Sequence, residues 1–139
     1  MNKNTINNKI IKEYENERYE GELITKENKG KGIFLYKSGC KYEGEWKNFM
    51  KEGKGIYYYK NGDRYVGDFK NDKYEGRGIY YYNNGDRYEG EFKKGKKEEK
   101  GIYYFNNGDR IMGDYLNDEK IGKHVVLTIK GEIKAKIYN

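Results

Sequence analysis

The sequence predicts an all-β protein: an elongated, twisted, single-layer antiparallel sheet of successive β-hairpins. Three observations point there. Eighteen of the 19 glycines fall on a lattice with a 23-residue step. A Tyr-x-Gly-x-aromatic string opens the units, as in Tyr42-Glu43-Gly44-Glu45-Trp46. Asn-Gly dipeptides close them at Asn61-Gly62, Asn84-Gly85 and Asn107-Gly108. A step kept without insertion marks stacked copies of one supersecondary unit, and glycine at this density is costly inside a helix.

Each unit reads as two short strands. Alternation puts Tyr42, Gly44 and Trp46 on one face of the opening strand and Glu43 and Glu45 on the other. A two-residue turn follows at Asn48-Phe49, Asn71-Asp72, Lys94-Gly95 and Asn117-Asp118; Gly95, the glycine off the lattice, supplies the positive φ a tight hairpin wants. This turn sets Tyr42 opposite Gly55 and Gly44 opposite Gly53, so that rings lie across bare backbone. Glu43 then meets Lys54, Glu20 meets Lys31 and Glu89 meets Lys100, each exposed pair worth roughly 0.2–1 kcal/mol. The returning strand places Tyr57 and Tyr59 with Tyr42, and Ile56 and Tyr58 on the far side. A type I turn with a glycine bulge at Gly62 keeps the faces in phase from unit to unit. Face one is an aromatic and glycine layer; face two is mixed, with Glu, Asp, Lys and Arg around the apolar residues.

The ends depart from the pattern, as caps of a repeat array do. Residues 1–18 read as a polar segment followed by a half-unit, and residues 19–133 as five units at 19–41, 42–64, 65–87, 88–110 and 111–133. Residues 134–139 form a cap strand. There the apolar residues move to face two: Val125, Leu127 and Ile129, then Ile133, Ala135 and Ile137. Glu99 and His124 stand at glycine positions, Leu23 at an aromatic one, and Ile111 replaces the opening Tyr.

Composition agrees with a chain whose core is built from Tyr. Charged residues make up 37% and hydrophobic ones 35%, but there are 17 tyrosines and a net charge of only +6. No apolar run approaches the roughly 20 residues that span a bilayer, and the first residues lack the apolar stretch of a secretory signal. One cysteine, Cys40, excludes an internal disulfide framework and a multi-cysteine metal site. A soluble protein of a reducing compartment is the expectation.

The string Tyr42-Glu43-Gly44-Glu45-Trp46 with Gly53-Lys54-Gly55 closely resembles the MORN repeat (membrane occupation and recognition nexus). The resemblance covers the five units. It implies an elongated sheet of hairpins, a role in holding proteins or membranes together, and no catalysis by the repeats themselves. A cytoplasmic location, associated with the cytoskeleton or the inner face of a membrane, follows as an expectation.

The residues themselves argue against catalysis. His124 is the lone histidine and reads as a partly exposed residue of the last unit, without partners for a metal site. Cys40 follows a turn glycine and reads as a surface thiol. Gly-x-Gly recurs without the rest of a phosphate loop. No cofactor is expected. Binding is better supported, because Tyr and Trp are what interface centres use. The candidate partner surface on face one is Trp46, Tyr57, Tyr59, Phe69, Tyr80, Tyr82, Tyr103 and Phe105, suited to an extended peptide or an amphipathic helix. Lys93, Lys94, Lys96 and Lys97 form a basic cluster suited to an anionic membrane surface. Single-stranded nucleic acid ranks last, because 23 acidic residues are interleaved with 29 basic ones. Val125, Leu127, Ile129, Ile133 and Ile137 make an apolar cap patch suited to a homodimer or to the partner.

Overall fold

The computed structural model describes residues 5–6, 9–15, 17–22 and 29–139. Among the described residues, thirteen strands form one open antiparallel sheet in chain order. The first four are β1 (Thr5–Ile6), β2 (Lys9–Tyr14), β3 (Glu17–Glu22) and β4 (Lys29–Leu35). The three complete middle units supply β5 (Lys41–Lys47), β6 (Met50–Tyr58), β7 (Arg64–Lys70), β8 (Lys73–Tyr81), β9 (Arg87–Lys93) and β10 (Lys96–Tyr104). The last three are β11 (Arg110–Leu116), β12 (Glu119–Leu127) and β13 (Ile133–Tyr138). Residues 23–28, with Leu23, and Asn16, together with most of residues 1–8, lie outside the described residues.

Both turns form as their residues demand. In the first, φ is positive at both turn residues: 50° and 63° at Asn48 and Phe49, 48° and 68° at Asn71 and Asp72, 50° and 84° at Lys94 and Gly95. That is the pattern of a two-residue hairpin whose twist matches its strands. In the second turn Gly62 sits at φ 95° and its N–H donates to the Tyr59 carbonyl, while the Tyr59 N–H donates to the Asp63 carbonyl.

The register differs from the one expected. Lys47 faces Met50 and Trp46 faces Lys51, as the turn dictates, but the pairing then slides by two and Gly44 lies opposite Gly55, with Tyr42 opposite Tyr57. The slide is a bulge, made where Gly53 takes φ 71°, Gly76 takes 64° and Gly122 takes 65°. These glycines are therefore bulge residues and not partners of Gly44 and its equivalents. A slide of two leaves every side chain on its expected face; a slide of one would have inverted them. It also moves the charges. Glu43 meets Ile56 and Ile33, Glu20 meets Ile33, and Glu89 meets Ile102. Lys54 pairs instead with Asp68 of the next unit at 2.6 Å, and Arg77 with Glu91 at 3.5 Å.

The slide aligns one glycine from each of β3 to β11 into a row across the sheet, Gly21, Gly32, Gly44, Gly55, Gly67, Gly78, Gly90, Gly101 and Gly113. Tyrosine rings lie along it. A Cβ added at Gly55 would stand 2.6 Å from the Tyr42 ring. Tyr42, Tyr65 and Tyr88 are fully buried as a result, and the Tyr42 and Tyr65 hydroxyls donate to the carbonyls of Glu45 (2.7 Å) and Asp68 (3.0 Å).

Side chains stitch the turns of successive units together along both edges of the sheet. At the second turns the Asp63 carboxylate accepts from the Asn83 backbone N–H and the Asp86 carboxylate from that of Asn106, each at 2.8 Å. At the first turns Asp72 accepts from Lys51 N–H and Asp118 from Lys97 N–H, each at 2.8 Å. A single-layer sheet with unstitched edges would fray; here each turn anchors the next.

Candidate functional site: the aromatic face

Face one carries two rows of rings. The inner row runs Trp46, Tyr42, Phe69, Tyr65, Phe92, Tyr88 and Tyr115, with successive centroids 4.9–5.4 Å apart and planes near perpendicular. Edge-to-face contact is the preferred geometry for such pairs. Most of this row is buried and forms the core. Phe69 belongs to it, so it lies in the packing and not on the expected partner surface: its ring fills the space between Tyr42 and Tyr65. Trp46 is half-buried at the row's end, and its indole N–H has no partner among the described residues.

The outer row is the part that can be touched. Tyr36, Tyr57, Tyr59, Tyr80, Tyr82, Tyr103 and Phe105 follow one another with centroids 4.7–5.9 Å apart. Six of them are half-buried and Phe105 is exposed. Six of the eight residues expected at the partner surface are thus brought together. Tyr36 was missed, although it stands one 23-residue step before Tyr59.

Five phenols of this ribbon, those of Tyr36, Tyr59, Tyr80, Tyr82 and Tyr103, are held by hydrogen bonds. Tyr80 donates to Asp63 at 3.0 Å and Tyr103 to Asp86 at 2.7 Å. Tyr59 and Tyr74 share a hydrogen bond between their hydroxyls. Burial, first of all, pushes the Tyr36 and Tyr82 phenols up to about 12 and those of Tyr57, Tyr80 and Tyr103 higher still. The bond from Tyr103 in turn holds the Asp86 carboxyl below its usual range. Tyr80 and Tyr103 are thereby fixed as donors to Asp63 and Asp86.

Tyr74 and two lysines complete the face, and all three share one position of the repeat. Lys51 reaches over Tyr36, Tyr42 and Tyr57, with Nζ 5.5–5.8 Å from the centroids, and forms an ion pair with Asp72 at 3.4 Å. Tyr74 stacks on Tyr65 at 3.7 Å. Lys97 stands over Tyr88 at 4.7 Å, and its ammonium donates to the Tyr82 hydroxyl at 2.7 Å. Burial lowers its pKa. Lys97 therefore lies among the rings, whereas Lys93, Lys94 and Lys96 of the expected basic cluster are exposed around the hairpin turn.

The lone histidine is a correction. His124 is fully buried, because Ile111 cannot span Gly113 as a Tyr would and the imidazole takes that place. Cys40 is half-buried at a turn, and the Ser38 hydroxyl, ahead of other causes, pulls its thiol down. Among the described residues no group of three or more His, Cys, Asp and Glu is placed to hold a metal.

At the cap, Val125 faces Ala135 and Leu127 faces Ile133. Ile133 and Ile137 are 74% and 77% exposed. Ile129 departs from that patch: it sits on Gly108 of the preceding turn, with its N–H bound to Asp109 at 3.0 Å.

A family model, the MORN repeat, matches three consecutive segments, residues 42–64, 65–87 and 88–110. In each of these units the opening Tyr covers its own glycine and the glycine opposite. No curated protein matches the chain.

Proposed function

The chain belongs to the MORN-repeat family, whose repeats serve protein or membrane interaction, and we propose that it is a non-catalytic scaffold that captures a protein segment along the outer ring row of face one. The observation that carries this is the division of labour between the rows. The inner row closes the core, so the outer row is held rigid and half-exposed without being needed to cover glycine. Rigid aromatic rings bind with little entropy to lose and favour the centre of interfaces. An extended peptide or an amphipathic helix is the occupant. Cytoplasmic work at the cytoskeleton or beside a membrane is the setting proposed with it.

Partner capture by the wild type and by Tyr80→Ala with Tyr82→Ala tests the reading. Loss of most captured protein is expected, with an unchanged circular dichroism spectrum; undiminished capture by the folded variant sinks it.

A second reading rests on Lys93, Lys94 and Lys96, exposed on one turn. Weak binding to anionic vesicles, lost with salt and on change of these lysines to Gln, is the expected result, because roughly 1 kcal/mol per basic residue gives marginal attachment. Tight binding to neutral vesicles would contradict it. The cap residues Val125, Leu127, Ile133 and Ile137 are proposed as a contact for a second copy or for the partner, and sedimentation of Leu127→Asp with Ile137→Asp against the wild type decides.

A further inference from the structure

The opposite face carries a feature that alternation along any one strand does not reveal. The register sets Tyr58 between Lys41 and Arg64, Tyr81 between Arg64 and Arg87, and Tyr104 between Arg87 and Arg110. One residue from each of seven successive strands therefore forms a line of alternating cation and tyrosine that contains no acid. The cations are stacked on the rings: Lys41 stands 4.2 Å from the Tyr58 centroid, Arg64 4.1 Å from that of Tyr81 and Arg87 3.8 Å from that of Tyr104.

Not every cation in the line is neutralised. Lys41 reaches Glu43 at 3.9 Å and Arg87 reaches Glu89 at 2.8 Å. Two residues along from Arg64 and Arg110, however, stand Val66 and Met112. Among the described residues neither Arg64 nor Arg110 pairs with a carboxylate, and both are exposed. The next line of the same face, one step along the strands, runs Glu43, Ile56, Val66, Ile79, Glu89, Ile102 and Met112: it is apolar beside Arg64 and Arg110, and its two acids are those that pair with Lys41 and Arg87.

The geometry points to this strip as a docking surface for an acidic amphipathic α-helix laid across the strands, separate from the ring row of face one. Charge complementarity names the sign of the partner. Spacing and backbone chemistry name its form. Cations recur on every second strand, about 9.6 Å apart, and a helix repeats a side-chain position every seven residues in about 10.5 Å. The two lines lie about 7 Å apart, so one helix, about 10–12 Å across with its side chains, covers both. A helix satisfies its own N–H and C=O groups, whereas an extended chain crossing Ile56, Val66 and Ile79 would leave its backbone unpaired over apolar side chains. Single-stranded nucleic acid fits less well: the cations already occupy faces of the tyrosine rings on which bases would stack.

The test is fluorescence anisotropy of the full chain with a four-heptad helical peptide carrying Glu at one heptad position and Leu beside it. The same peptide with Lys for Glu, an oligo-dT strand and phosphatidylserine vesicles are run in parallel. The Glu peptide should bind and weaken with salt. Arg64→Glu with Arg110→Glu should cut affinity about tenfold or more. Arg64→Lys with Arg110→Lys should retain most of it, and Tyr80→Ala with Tyr82→Ala should leave it unchanged, which separates this surface from the ring row. The inference is overturned by no binding of the Glu peptide, by equal binding of the Lys peptide, or by wild-type affinity in the charge-reversed chain folded by circular dichroism. Tighter binding of oligo-dT or vesicles, lost in the same variant, would overturn it too.

Discussion

The middle units and the last unit solve the same packing problem with different residues. In the units that begin at Tyr42, Tyr65 and Tyr88, a Tyr on the opening strand reaches over its own glycine and the glycine opposite. In the last unit the opening residue is Ile111 and the glycine opposite becomes His124, whose ring covers Gly113 from the returning strand. The inner row continues without a gap: Tyr115 meets His124 at 5.5 Å and His124 meets Tyr138 at 4.9 Å. Two departures that look like decay in the sequence are therefore one compensated exchange. What the fold requires at this place is a flat ring over paired glycines, and either strand can supply it. Tyr42 and Tyr65 find carbonyl acceptors for their hydroxyls, whereas the Tyr88 hydroxyl and both His124 nitrogens have no hydrogen-bond partner among the described residues.

The largest expected effect lies in the middle. Tyr65→Ala uncovers Gly67 and Gly78 and removes the ring between Phe69, Tyr74 and Phe92. Loss of a large buried ring costs about 3–5 kcal/mol, to be seen as a fall in the urea midpoint. A midpoint within error of the wild type would mean the rings merely decorate the sheet.

The exchange itself can be run backwards. His124→Gly leaves a void beneath Ile111 and should cost about 2–3 kcal/mol. Ile111→Tyr sets a second ring against His124 and should cost about 1–2 kcal/mol. Together they restore the pattern of the middle units, and the double variant should lie within about 1 kcal/mol of the wild type, a coupling of at least about 2 kcal/mol. Additive losses would show that the two positions do not share the space.

Acid sharpens the same comparison. Burial, as the first cause, holds His124 below the ordinary imidazole value; Lys120 acts the same way, and the Gly122 carbonyl and Asp114 oppose it. The unfolded chain therefore takes up the proton first. Stability from this group is complete above the unfolded value of about 6.5 and is lost as pH falls from there through the depressed folded value. Equilibrium unfolding of the wild type should weaken over that window, and the Ile111→Tyr, His124→Gly variant should lack this part of the slope. An equal slope in both would assign the pH dependence to other groups.

The smallest effect is expected at a turn. Phe49 holds φ 63° with its side chain 73% exposed, where Asp72 and Asp118 occupy the same place in later units. A bulky residue is strained there, while Asp tolerates it. Phe49→Asp should raise stability by roughly 0.5–1 kcal/mol. A clear loss of stability would instead show that the ring makes a contact worth more than the strain.

The strands, both turns and the division into faces were legible from Tyr42-Glu43-Gly44-Glu45-Trp46 and its copies, because alternation and turn dihedrals are set by residues adjacent in the chain. The outer ring row was legible for the same reason, Tyr36 apart. The bulge was not. Gly53 and Gly55 look alike in the sequence, and nothing in their spacing says that one kinks the strand while the other pairs with Gly44. That slide breaks the expected pair of Glu43 with Lys54 and sets Lys41 beside Tyr58 and Arg64 beside Tyr81 in the line of face two.

Burial was decided by the tertiary structure alone. In a single-layer sheet there is no second layer to cover a side chain, so cover comes from the neighbouring unit, some 23 residues away in the chain. Tyr42 is closed by Phe69, Tyr65 by Phe92 and Tyr88 by Tyr115. The sequence by itself determined which residues share a face and where the chain turns. Which rings became core, which stayed available to a partner, and why a histidine could stand in for a tyrosine depended on lateral packing between units.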